Sequence, residues 1–399
     1  MQQAVLVINA GSSSVKYQLV DPATGVSSAK GLVERIGLDT GVITHTTPQG
    51  TWREEGPVPD HEQAIALVTR AFSEHGPDLS EADLVAVGHR VVHGGADFAD
   101  PVLVGDAVLA TIERLIPLAP LHNPGNLQGI AATRRIFPDV PQVAVFDTAF
   151  HQTMPPEAYT YAVPARWREE LRVRRYGFHG TSHAYVSRRA AELLGRPLEE
   201  VRTVVLHLGN GASATAVDGG RSVDTSMGLT PLEGLVMGTR GGDLDPGLAG
   251  HLVRNGGLTL EAFDRALSKE SGLLALSGSA DMRELVAARE AGQPEALLAF
   301  DVMVHRLVRY VGAFVAVLGG VDAIVFTAGI GEHTPELRAA VLQRVAFLGV
   351  ELDEDANTGL PRGETGRVST ADSRVAALVI PTNEEWEIAR QAAEVVAAG

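Results

Sequence analysis

The sequence predicts an α/β protein made of two domains. Its 399 residues exceed the size at which a single hydrophobic core usually stops growing. Apolar segments of strand length alternate with longer helical patterns along the chain, which is typical of layered α/β folds. Apolar residues make up 45% and charged residues 21% of the sequence, and its 43 glycines predict many tight loops.

The N-terminal half begins with strands. QAVLVINA and SVKYQLVD are apolar strands joined by a tip rich in glycine and serine, and further strand-like segments extend to GVITHTT. The proline after Asn123 suits the first turn of a helix, which is predicted to run to Phe137. The other elements predicted for this half are a helix over about 60–75, the strand LVAVGHRVVHGG, a helix over 105–116, and the strand QVAVFD, which ends at Asp147.

The proline-rich loop MPPEA is the predicted boundary between the domains. Beyond it, strands and helices continue to alternate, and the pattern over 295–318 is long and apolar enough for a helix that crosses a domain core. The predicted elements are, in order, a helix over Ser182–Leu194, the strand TVVLHL, the hairpin ASATAVDGG, a glycine-rich region over 228–250, helices near 259–270, 281–291 and 295–318, the strand AIVFTAGI, a helix from Thr334, the strand AALVI, and a final helix from Asn383.

Two hairpins resemble each other. VLVINAGSSSVKYQLVDP and VVLHLGNGASATAVDGG each contain an apolar strand, one polar residue, a glycine, small polar residues and a second apolar strand that ends at an Asp turn. The comparison aligns Asn9 with His207 and Gly11 with Gly209. Either two unrelated hairpins are alike by chance, or the chain consists of two related halves, each with a loop that fits a phosphate.

The composition excludes several classes of function. A formal net charge of −16 disfavours nonspecific binding to nucleic acid or to an anionic membrane. The absence of cysteine excludes disulfides, thiol nucleophiles and cysteine-bound zinc, and it favours a reducing compartment. The N-terminus lacks the basic region of a signal peptide, and no segment approaches the roughly 20 apolar residues of a membrane span. We therefore expect a cytoplasmic protein that binds neither nucleic acid nor membrane.

The first hairpin tip predicts a phosphate site. Glycine and serine expose backbone N–H groups and hydroxyls that bind phosphate oxygens, and Lys16 adds a compact positive charge. An ordinary solvent-facing hairpin is the alternative, but Asn9 at the end of the buried strand favours a site. Arg90, within the apolar run GHRVVHGG, needs an anionic partner, which is either a structural carboxylate or a ligand. His89 and His93 are interpreted as structural, because the segment is strand-like and lacks an HExxH carboxylate.

Three further segments carry candidate catalytic groups. His179 lies at the glycine-rich start of a helix, where unpaired N–H groups and the helix dipole favour an anion, although a structural role is the alternative. Asp147 ends a strand, where α/β sheets place functional groups, although capping is the alternative. The loop MGTRGGDLDPG offers Arg240, and an arginine on a flexible loop suits the charge that develops in phosphoryl transfer. A surface loop whose aspartates cap turns is the alternative there.

Other motifs are less specific. GNGASA matches a dinucleotide pattern, but a strand rather than a helix follows it, so a Rossmann site is excluded. The sequence has no P-loop signature. DMR at 281–283 fits an exposed helix start, and GIGEH at 329–333 fits a strand-to-helix turn that admits a nucleotide. Glu384 precedes the last helix, where an acidic side chain interacts favourably with the helix dipole and needs no other explanation.

Taken together, these segments closely resemble the acetate kinase family. INAGSSSVK and GHRVVHGG resemble its two recognition segments, and HNPGN, FDTAFH, GFHGTSH, HLGNGAS, TRGGDLDPG, GIGE and PTNEE follow in the family order. The resemblance covers essentially the whole chain. It implies two RNase H-like (actin-like ATPase) domains with a nucleotide cleft between them. The first would span 1–150, completed by a helix at about 384–399, and the nucleotide-binding domain would span 151–383.

The resemblance also implies an activity and residue roles. The activity is reversible phosphoryl transfer from ATP to acetate, giving acetyl phosphate and ADP, in a homodimer that uses Mg²⁺, with Mn²⁺ as an alternative. Asp147 would be the active-site acid or base, and His179 and Arg240 would stabilise the transition state. The metal would be associated with Asn9 and Glu384. Arg90 would hold the carboxylate of acetate, and the methyl group of acetate would contact Val92, Leu121, Phe178 and Pro231. The nucleotide would be held by Ser12, Ser14, Lys16, His207, Leu208, Gly209, Asn210, Gly211, Asp281, Met282, Arg283, Gly329, Ile330, Gly331, Glu332 and His333.

His333 departs from the family pattern, which usually has asparagine there, and the departure concerns a nucleotide contact rather than the reaction. Because an ordinary carboxyl group titrates near pH 4, acetate needs no base. We therefore predict that Asp147 orients a metal-bound water or a neighbouring cationic side chain. One alternative is a propionate or butyrate kinase. Another is a noncatalytic ATP-driven module, which would have no evident need for Arg90, His179 and Arg240 together. The third is a sugar kinase, which would need a base for a neutral hydroxyl and a polar pocket.

Overall fold

The structure, a computed structural model, describes residues 3–79 and 81–399. It divides into two compact units. The first unit comprises the chain up to Phe150 together with Asn383–Gly399, and the second comprises His151–Thr382. Within the described residues, no helix combines the length and apolar character that crossing a bilayer requires.

The described part of the first unit is built on one eight-stranded sheet. Its strands are β1 (Gln3–Ala10), β2 (Ser14–Val20), β3 (Ser27–Glu34), β4 (Gly41–Thr47), β5 (Gly50–Gly56), β6 (Asp83–Val91), β7 (Val102–Leu103) and β8 (Gln142–Phe146). Its helices are α1 (His61–His75), α2 (Asp106–Arg114), α3 (Asn123–Ile136) and α15 (Glu384–Ala398), with a 3₁₀ turn at Ile116–Leu118. A second 3₁₀ turn, Ala149–Thr153, begins in this unit and ends in the next. The strand order is β5-β4-β3-β2-β1-β6-β8-β7. Strands β1 to β5 form an antiparallel meander, and β1, β6 and β8 run parallel.

Strand β1 is apolar on both faces because helices cover both sides of it. Val5 and Val7 pack in one cluster with Ile388 of α15, whereas Leu6 and Ile8 pack in another with Phe72 of α1. The alternation follows from the two-residue period of a strand. Burial in the first of these clusters, which also includes Val143 and Val145 of β8, attaches the C-terminal helix to the sheet of the first unit.

The described part of the second unit contains a six-stranded sheet in the order β11-β10-β9-β12-β14-β13. Its strands are β9 (Arg202–Leu208), β10 (Ala212–Asp218), β11 (Arg221–Thr225), β12 (Ala323–Thr327), β13 (Gly366–Arg367) and β14 (Ala376–Val379). Its helices are α4 (Pro156–Tyr159), α5 (Ala165–Glu170), α6 (Gly180–Leu194), α7 (Gly247–Gly256), α8 (Leu260–Lys269), α9 (Gly272–Ser277), α10 (Met282–Glu290), α11 (Pro294–Leu318), α12 (Ala328–His333), α13 (Pro335–Arg344) and α14 (Glu354–Gly359), with 3₁₀ turns at Leu198–Glu200 and Ala346–Leu348.

The two sheets share one topology. In each, three antiparallel strands are followed by two parallel ones, in the orders β3-β2-β1-β6-β8 and β11-β10-β9-β12-β14. The related hairpins β1–β2 and β9–β10 occupy equivalent places in these sheets. This arrangement is that of an RNase H-like fold, and it agrees with the interpretation of the chain as two related halves.

Two predicted strands end earlier than expected, and one strand was not predicted. The strand predicted over AIVFTAGI ends at Thr327, and Ala328–His333 form a short helix instead. The strand predicted over LVAVGHRVVHGG ends at Val91, so the following His-Gly-Gly segment is loop. Strand β5 was not predicted, because its charged sequence GTWREEG lies at a sheet edge, where an apolar pattern is not required.

Three buried histidines predict sensitivity to acid. Burial lowers the pKa of His89, His93 and His151 from 6.5 to about 4. Each neutral side chain contributes fully to the stability of the folded state above pH 6.5, and this contribution is lost progressively as the pH falls from 6.5 to 4. We expect the free energy of unfolding to fall by about 3 kcal/mol per histidine between these two pH values. Urea denaturation between pH 7 and 4.5 measures this decrease.

The matched variants are His89→Gln and His251→Gln. His89 is buried, and its Nε2 lies 2.8 Å from Oε1 of Gln142, whereas His251 is exposed. His89→Gln should flatten the pH dependence of the unfolding free energy, and His251→Gln should leave it as in the parent chain. Equal slopes for all three proteins would contradict the assignment.

Candidate active site

A bidentate ion pair lies at the carboxyl ends of β6 and β8 in the first unit. Nε and Nη2 of Arg90 donate to Oδ1 and Oδ2 of Asp147 at 3.0 and 2.5 Å. Asp147 is 1% exposed, while the Arg90 side chain keeps 23% of its surface in solvent. Burial disfavours the charged guanidinium, but attraction by Asp147 and Glu384 outweighs it and raises the pKa of Arg90. The guanidinium of Arg90 therefore stays charged and keeps an accessible face.

Asn9 and Lys16 extend this cluster along the first hairpin. The two residues are partners in the β1–β2 register. Nη1 of Arg90 donates to Oδ1 of Asn9 at 3.4 Å, and Lys16, whose side chain is 51% exposed, forms an ion pair with Glu385. Sequence reasoning missed Glu385, and its only signal was the adjacent acidic pair in PTNEE.

Glu384 is the buried acidic member of the cluster. It lies in the first turn of α15, and its Oε1 atom is buried with no hydrogen-bond partner within the described residues. Burial raises the pKa of Glu384 to about 7, against an opposing effect of Arg90. Glu384 interacts electrostatically with Arg90 and Asp147, and Arg90 also contacts the amide oxygen of Asn9. A buried carboxylate oxygen without a partner and an amide oxygen are ligands of the kind that a hard cation such as Mg²⁺ takes. Among the residues that the structure describes, no group of three His, Asp or Glu side chains forms a complete metal cage.

Helix α3 holds the hairpin tip in place. Asn126 donates to the carbonyl of Ala10 at 2.7 Å and accepts from the backbone N–H of Val92 at 3.1 Å. A Cβ at Gly125 would lie 2.6 Å from the carbonyl oxygen of Gly11, so only glycine permits this approach. Asn126, which sequence reasoning missed, therefore links the tip to the segment after β6.

The predicted contacts of the first unit differ in exposure. Val92 is 8% exposed, whereas Leu121 is 73% exposed. At the hairpin tip, Ser12 is exposed and Ser14 is partly buried. Of the four residues predicted to surround the methyl group, Val92 and Leu121 belong to the first unit, and Phe178 and Pro231 belong to the second.

A histidine cluster lies where α6 meets β9 and β10 in the second unit. His179, which precedes α6, has a left-handed φ of 57°, a conformation that is uncommon for non-glycine residues and that clusters at functional sites. Its ring stacks on His207 with centroids 4.3 Å apart, and its Nδ1 lies 2.9 Å from the hydroxyl of Ser213. Phe178 is buried, and its carbonyl lies 2.9 Å from Nε2 of His151.

Arg240 and His179 converge on one point beside Gly211. A Cβ built on Gly211 would lie 3.5 Å from Nη1 of Arg240 and 3.8 Å from Nε2 of His179. Arg240 also donates to the carbonyl of Pro231 at 3.1 Å. Burial lowers its pKa, and within the described residues no carboxylate lies within 4 Å of its guanidinium. This partly buried cation is therefore available to an anionic ligand.

The predicted nucleotide segments are neighbours at the ends of β9 and β12. His207 pairs with Thr327 across these parallel strands, so Leu208, Gly209, Asn210 and Gly211 lie beside the helix that contains Gly329, Ile330, Gly331, Glu332 and His333. Asp281 caps α10 and is followed by buried Met282 and exposed Arg283. The hydrogen bond from the side chain of Arg283 is the main cause that lowers the pKa of Asp281 to about 2. Ala280, next to it, lies 3.4 Å from the Cβ position of Gly238, whose backbone N–H donates to Asn210. The structure thus brings these three segments together.

Filling the space beside Gly211 should disable the site without unfolding the protein. Gly211 has an ordinary φ, and a methyl group there would meet only side chains at contact distance. We expect Gly211→Ala to lower the rate of any phosphoryl transfer at this site by about 100-fold, because the methyl group would displace a bound oxygen by about 1 Å. The control is Gly312→Ala in α11, where a Cβ meets nothing within 4 Å. Loss of rate in both variants, or in neither, would contradict the placement.

Comparison with known proteins gives consistent matches over the whole chain. A family model described as the acetokinase family matches residues 4–390. A relative named acetate kinase, from Leifsonia xyli subsp. xyli, is 56% identical over 397 residues, which cover 99% of this chain and 100% of the relative. The crystal structure of Porphyromonas gingivalis acetate kinase is 43% identical with a TM-score of 0.95, covering 99% of this chain and 100% of that one. A propionate kinase from Francisella tularensis is 39% identical with a TM-score of 0.92, covering 98% of this chain and 100% of that one.

Proposed function

The chain belongs to the acetokinase family, and from this premise we infer that it transfers a phosphoryl group reversibly between ATP and acetate. The products in the forward direction are acetyl phosphate and ADP. The enzyme is a phosphotransferase with a carboxyl group as acceptor. The observation that supports this chemistry most directly is the convergence of Arg240 and His179 beside Gly211.

The main barrier in this reaction is electrostatic. Acetate is ionised at neutral pH, so the attacking oxygen needs no base. Two unit charges about 4 Å apart repel by roughly 4 kcal/mol at an effective dielectric of 20. Fixed cations offset this repulsion, and an arginine directed at the transferring group is worth about 10³ to 10⁵ in rate. Electrostatic stabilisation by this chain's cations is therefore the proposed source of catalysis.

Each unit contains its own candidate groups for this role. In the first unit, Arg90 would bind the acetate carboxylate, and Lys16 with the hydroxyls of Ser12 and Ser14 would bind phosphate oxygens. In the second unit, Arg240 and Nε2 of His179 would stabilise the equatorial oxygens of the transferring group. The nucleotide itself would be held by the segments His207–Gly211, Asp281–Arg283 and Gly329–His333.

Asp147 acts, in this proposal, by orienting a cation rather than by moving a proton. Its two oxygens accept from two nitrogens of Arg90, which fixes the plane of the guanidinium. Of the two roles predicted from the sequence, the geometry favours orientation of a neighbouring cationic side chain. The unpartnered Oε1 of Glu384 and the amide oxygen of Asn9 would hold Mg²⁺, which when bound neutralises charge on the phosphate oxygens.

Trapping the acyl phosphate tests the proposed function. The protein is incubated with ATP, Mg²⁺ and either acetate, propionate or butyrate, and hydroxylamine converts the acyl phosphate to a hydroxamate. We expect the highest kcat/KM with acetate and measurable spillover to propionate, since one methylene changes discrimination by only about 1 to 3 kcal/mol. A preference for propionate would support the second candidate, a propionate kinase, which the similarity to the Francisella tularensis enzyme favours. Absence of hydroxamate with all three acids would refute both.

Metal affinity should depend on pH through Glu384. Because burial raises its pKa to about 7, the carboxyl group is largely protonated at pH 6 and ionised at pH 8. We expect the affinity for Mg²⁺, measured by calorimetry with ADP present, to increase about tenfold from pH 6 to pH 8. Glu384→Gln should bind Mg²⁺ weakly and with little dependence on pH, whereas Glu394→Gln, on the same helix, should behave as the parent chain. A pH-independent affinity in the parent chain would exclude Glu384 as a ligand.

The assembly and location are further proposals. The family resemblance supports a homodimer, and sedimentation of the purified chain tests it. The net charge of −16 and the absence of cysteine support a cytoplasmic enzyme with no affinity for nucleic acid or membrane.

A further inference from the structure

Ser213 joins two histidine rings in the second unit. Its hydroxyl oxygen lies 2.9 Å from Nδ1 of His179 and 2.8 Å from Nε2 of His183. Both Ser213 and His183 are 0% exposed, so solvent does not compete for these hydrogen bonds. We infer that Ser213 and His183 are positioning residues that fix the tautomer of His179 with its proton on Nε2. This inference rests on the role proposed above for His179 at the phosphoryl group.

The number of protons limits the arrangements of this chain. A serine hydroxyl has one proton to donate, and a neutral imidazole has one N–H and one bare nitrogen. For two neutral rings with both hydrogen bonds made, two arrangements remain. In the first, Nε2–H of His183 donates to Ser213, and the Ser213 hydroxyl donates to Nδ1 of His179. In the second, both bonds are reversed, and the proton of His183 lies on its Nδ1.

His183 decides between these arrangements. Its Nδ1 is buried and has no hydrogen-bond partner in the part of the chain that the structure describes. The second arrangement would place an N–H there, and buried N–H groups without an acceptor are rarer than acceptors without a donor. Double protonation is disfavoured as well, because burial, together with His151 and His207, lowers the pKa of His183 well below 6.5. The proton of His183 therefore lies on Nε2, and the Ser213 hydroxyl points to His179.

The consequence lies on the other side of the His179 ring. Nε2 of His179 lies 3.8 Å from the missing Cβ of Gly211, the point on which Arg240 also converges. With the proton on Nε2, the ring presents a donor to the phosphoryl oxygens. The other tautomer presents a lone pair, which repels those oxygens. Transfer to an ionised carboxylate moves no proton, so the donor only has to be present and correctly oriented.

The test combines a direct measurement of the tautomer with kinetics. The full-length protein is labelled with ¹⁵N-histidine, and two-bond ¹H–¹⁵N spectra report which nitrogen of each ring carries the proton, with His179→Gln identifying the resonances. We expect Nε2–H for His179 in the parent chain and a mixture of tautomers in Ser213→Ala. We also expect Ser213→Ala to lower kcat roughly 10- to 100-fold while KM for ATP and acetate changes less than about twofold.

Two further variants separate positioning from packing. His183→Gln keeps a side-chain N–H donor and should retain the His179 tautomer with kcat within about threefold of the parent. His183→Met removes the donor and should behave like Ser213→Ala. Ser187→Ala removes another buried hydroxyl, which is bonded to the backbone of α6, and should change neither measurement.

Two results would overturn the inference. One is an Nδ1–H tautomer of His179 in the parent chain, and the other is an unchanged tautomer in Ser213→Ala. The NMR measurement needs no turnover. Failure of the proposed function, seen as absence of acyl phosphate in the parent chain, is therefore distinguishable from failure of this inference.

Discussion

Arg240→Ala should lower kcat for acyl phosphate formation by about 10³-fold or more, with little change in ADP affinity. The guanidinium is partly buried, lies beside Gly211 and has no carboxylate partner among the described residues. Its charge therefore acts on an anionic ligand rather than within an ion pair. The guanidinium interacts with the equatorial oxygens of the phosphoryl group mainly in the transition state. Removing the guanidinium should therefore lower kcat rather than change KM. Steady-state kinetics and calorimetric titration with ADP measure the two quantities.

Two controls accompany Arg240→Ala. Arg265→Ala removes an exposed arginine that pairs with Glu270 on the surface of the same unit, and it should leave kcat unchanged. Adding guanidinium ion to the Arg240→Ala protein should restore part of the lost rate, because the space left by the side chain fits this cation. An effect confined to ADP affinity would instead make Arg240 a nucleotide contact and remove it from the proposed mechanism.

Arg90→Ala should both destabilise the first unit and abolish saturation with acetate. Asp147 is 1% exposed, and without Arg90 it remains as a buried carboxylate near Glu384. Removing one member of a buried ion pair typically costs about 3 to 5 kcal/mol, because the other charge stays buried without compensation. The free energy of unfolding from urea denaturation, and the acetate dependence of the rate, test the two effects.

The double variant Arg90→Ala/Asp147→Asn separates stability from binding. Neutralising Asp147 should recover much of the lost stability, since no uncompensated charge remains, but it should not restore acetate binding.

Asp147→Asn alone should lower turnover, because one of the two hydrogen bonds that Arg90 donates to residue 147 loses its acceptor. Near-normal turnover and metal affinity in Asp147→Asn would refute the orienting role. Arg135→Ala, which removes an exposed pair with Glu62, serves as the control and should change stability little.

Much of the fold follows from local patterns in the sequence. The run VLVI predicts a buried strand, the Asn123–Pro124 pair predicts the start of α3, and the alternation of strands and helices predicts the layers. These signals are readable because a strand or a helix turn involves residues within a few positions of one another. Strand β5 was not predicted, because its charged sequence at the sheet edge lacks the apolar pattern on which such predictions depend.

Arg338 shows what local patterns do not reveal. In the sequence it is one of several polar residues of a helix, yet in the structure it is 2% exposed. Its guanidinium donates to the carbonyls of Gly331, Glu332 and Asn357 and to the side chain of Asn357, with distances of 2.8 to 3.0 Å. It therefore fixes the end of the predicted nucleotide segment α12. No motif marks this role, because the acceptors come from carbonyls whose positions depend on packing.

Local sequence patterns are sufficient to predict most of the strands and helices, the two similar hairpins and the residue types available for binding an anion. Which of those residues meet depends on tertiary contacts. Arg90 and Asp147 are 57 positions apart, and Lys16 and Glu385 are 369 apart. The first contact depends on strand order, which brings together the carboxyl ends of the neighbouring parallel strands β6 and β8. The second depends on how α15 packs against the sheet, which no local pattern encodes. Which carboxylate is paired and which remains without a partner is decided at that level.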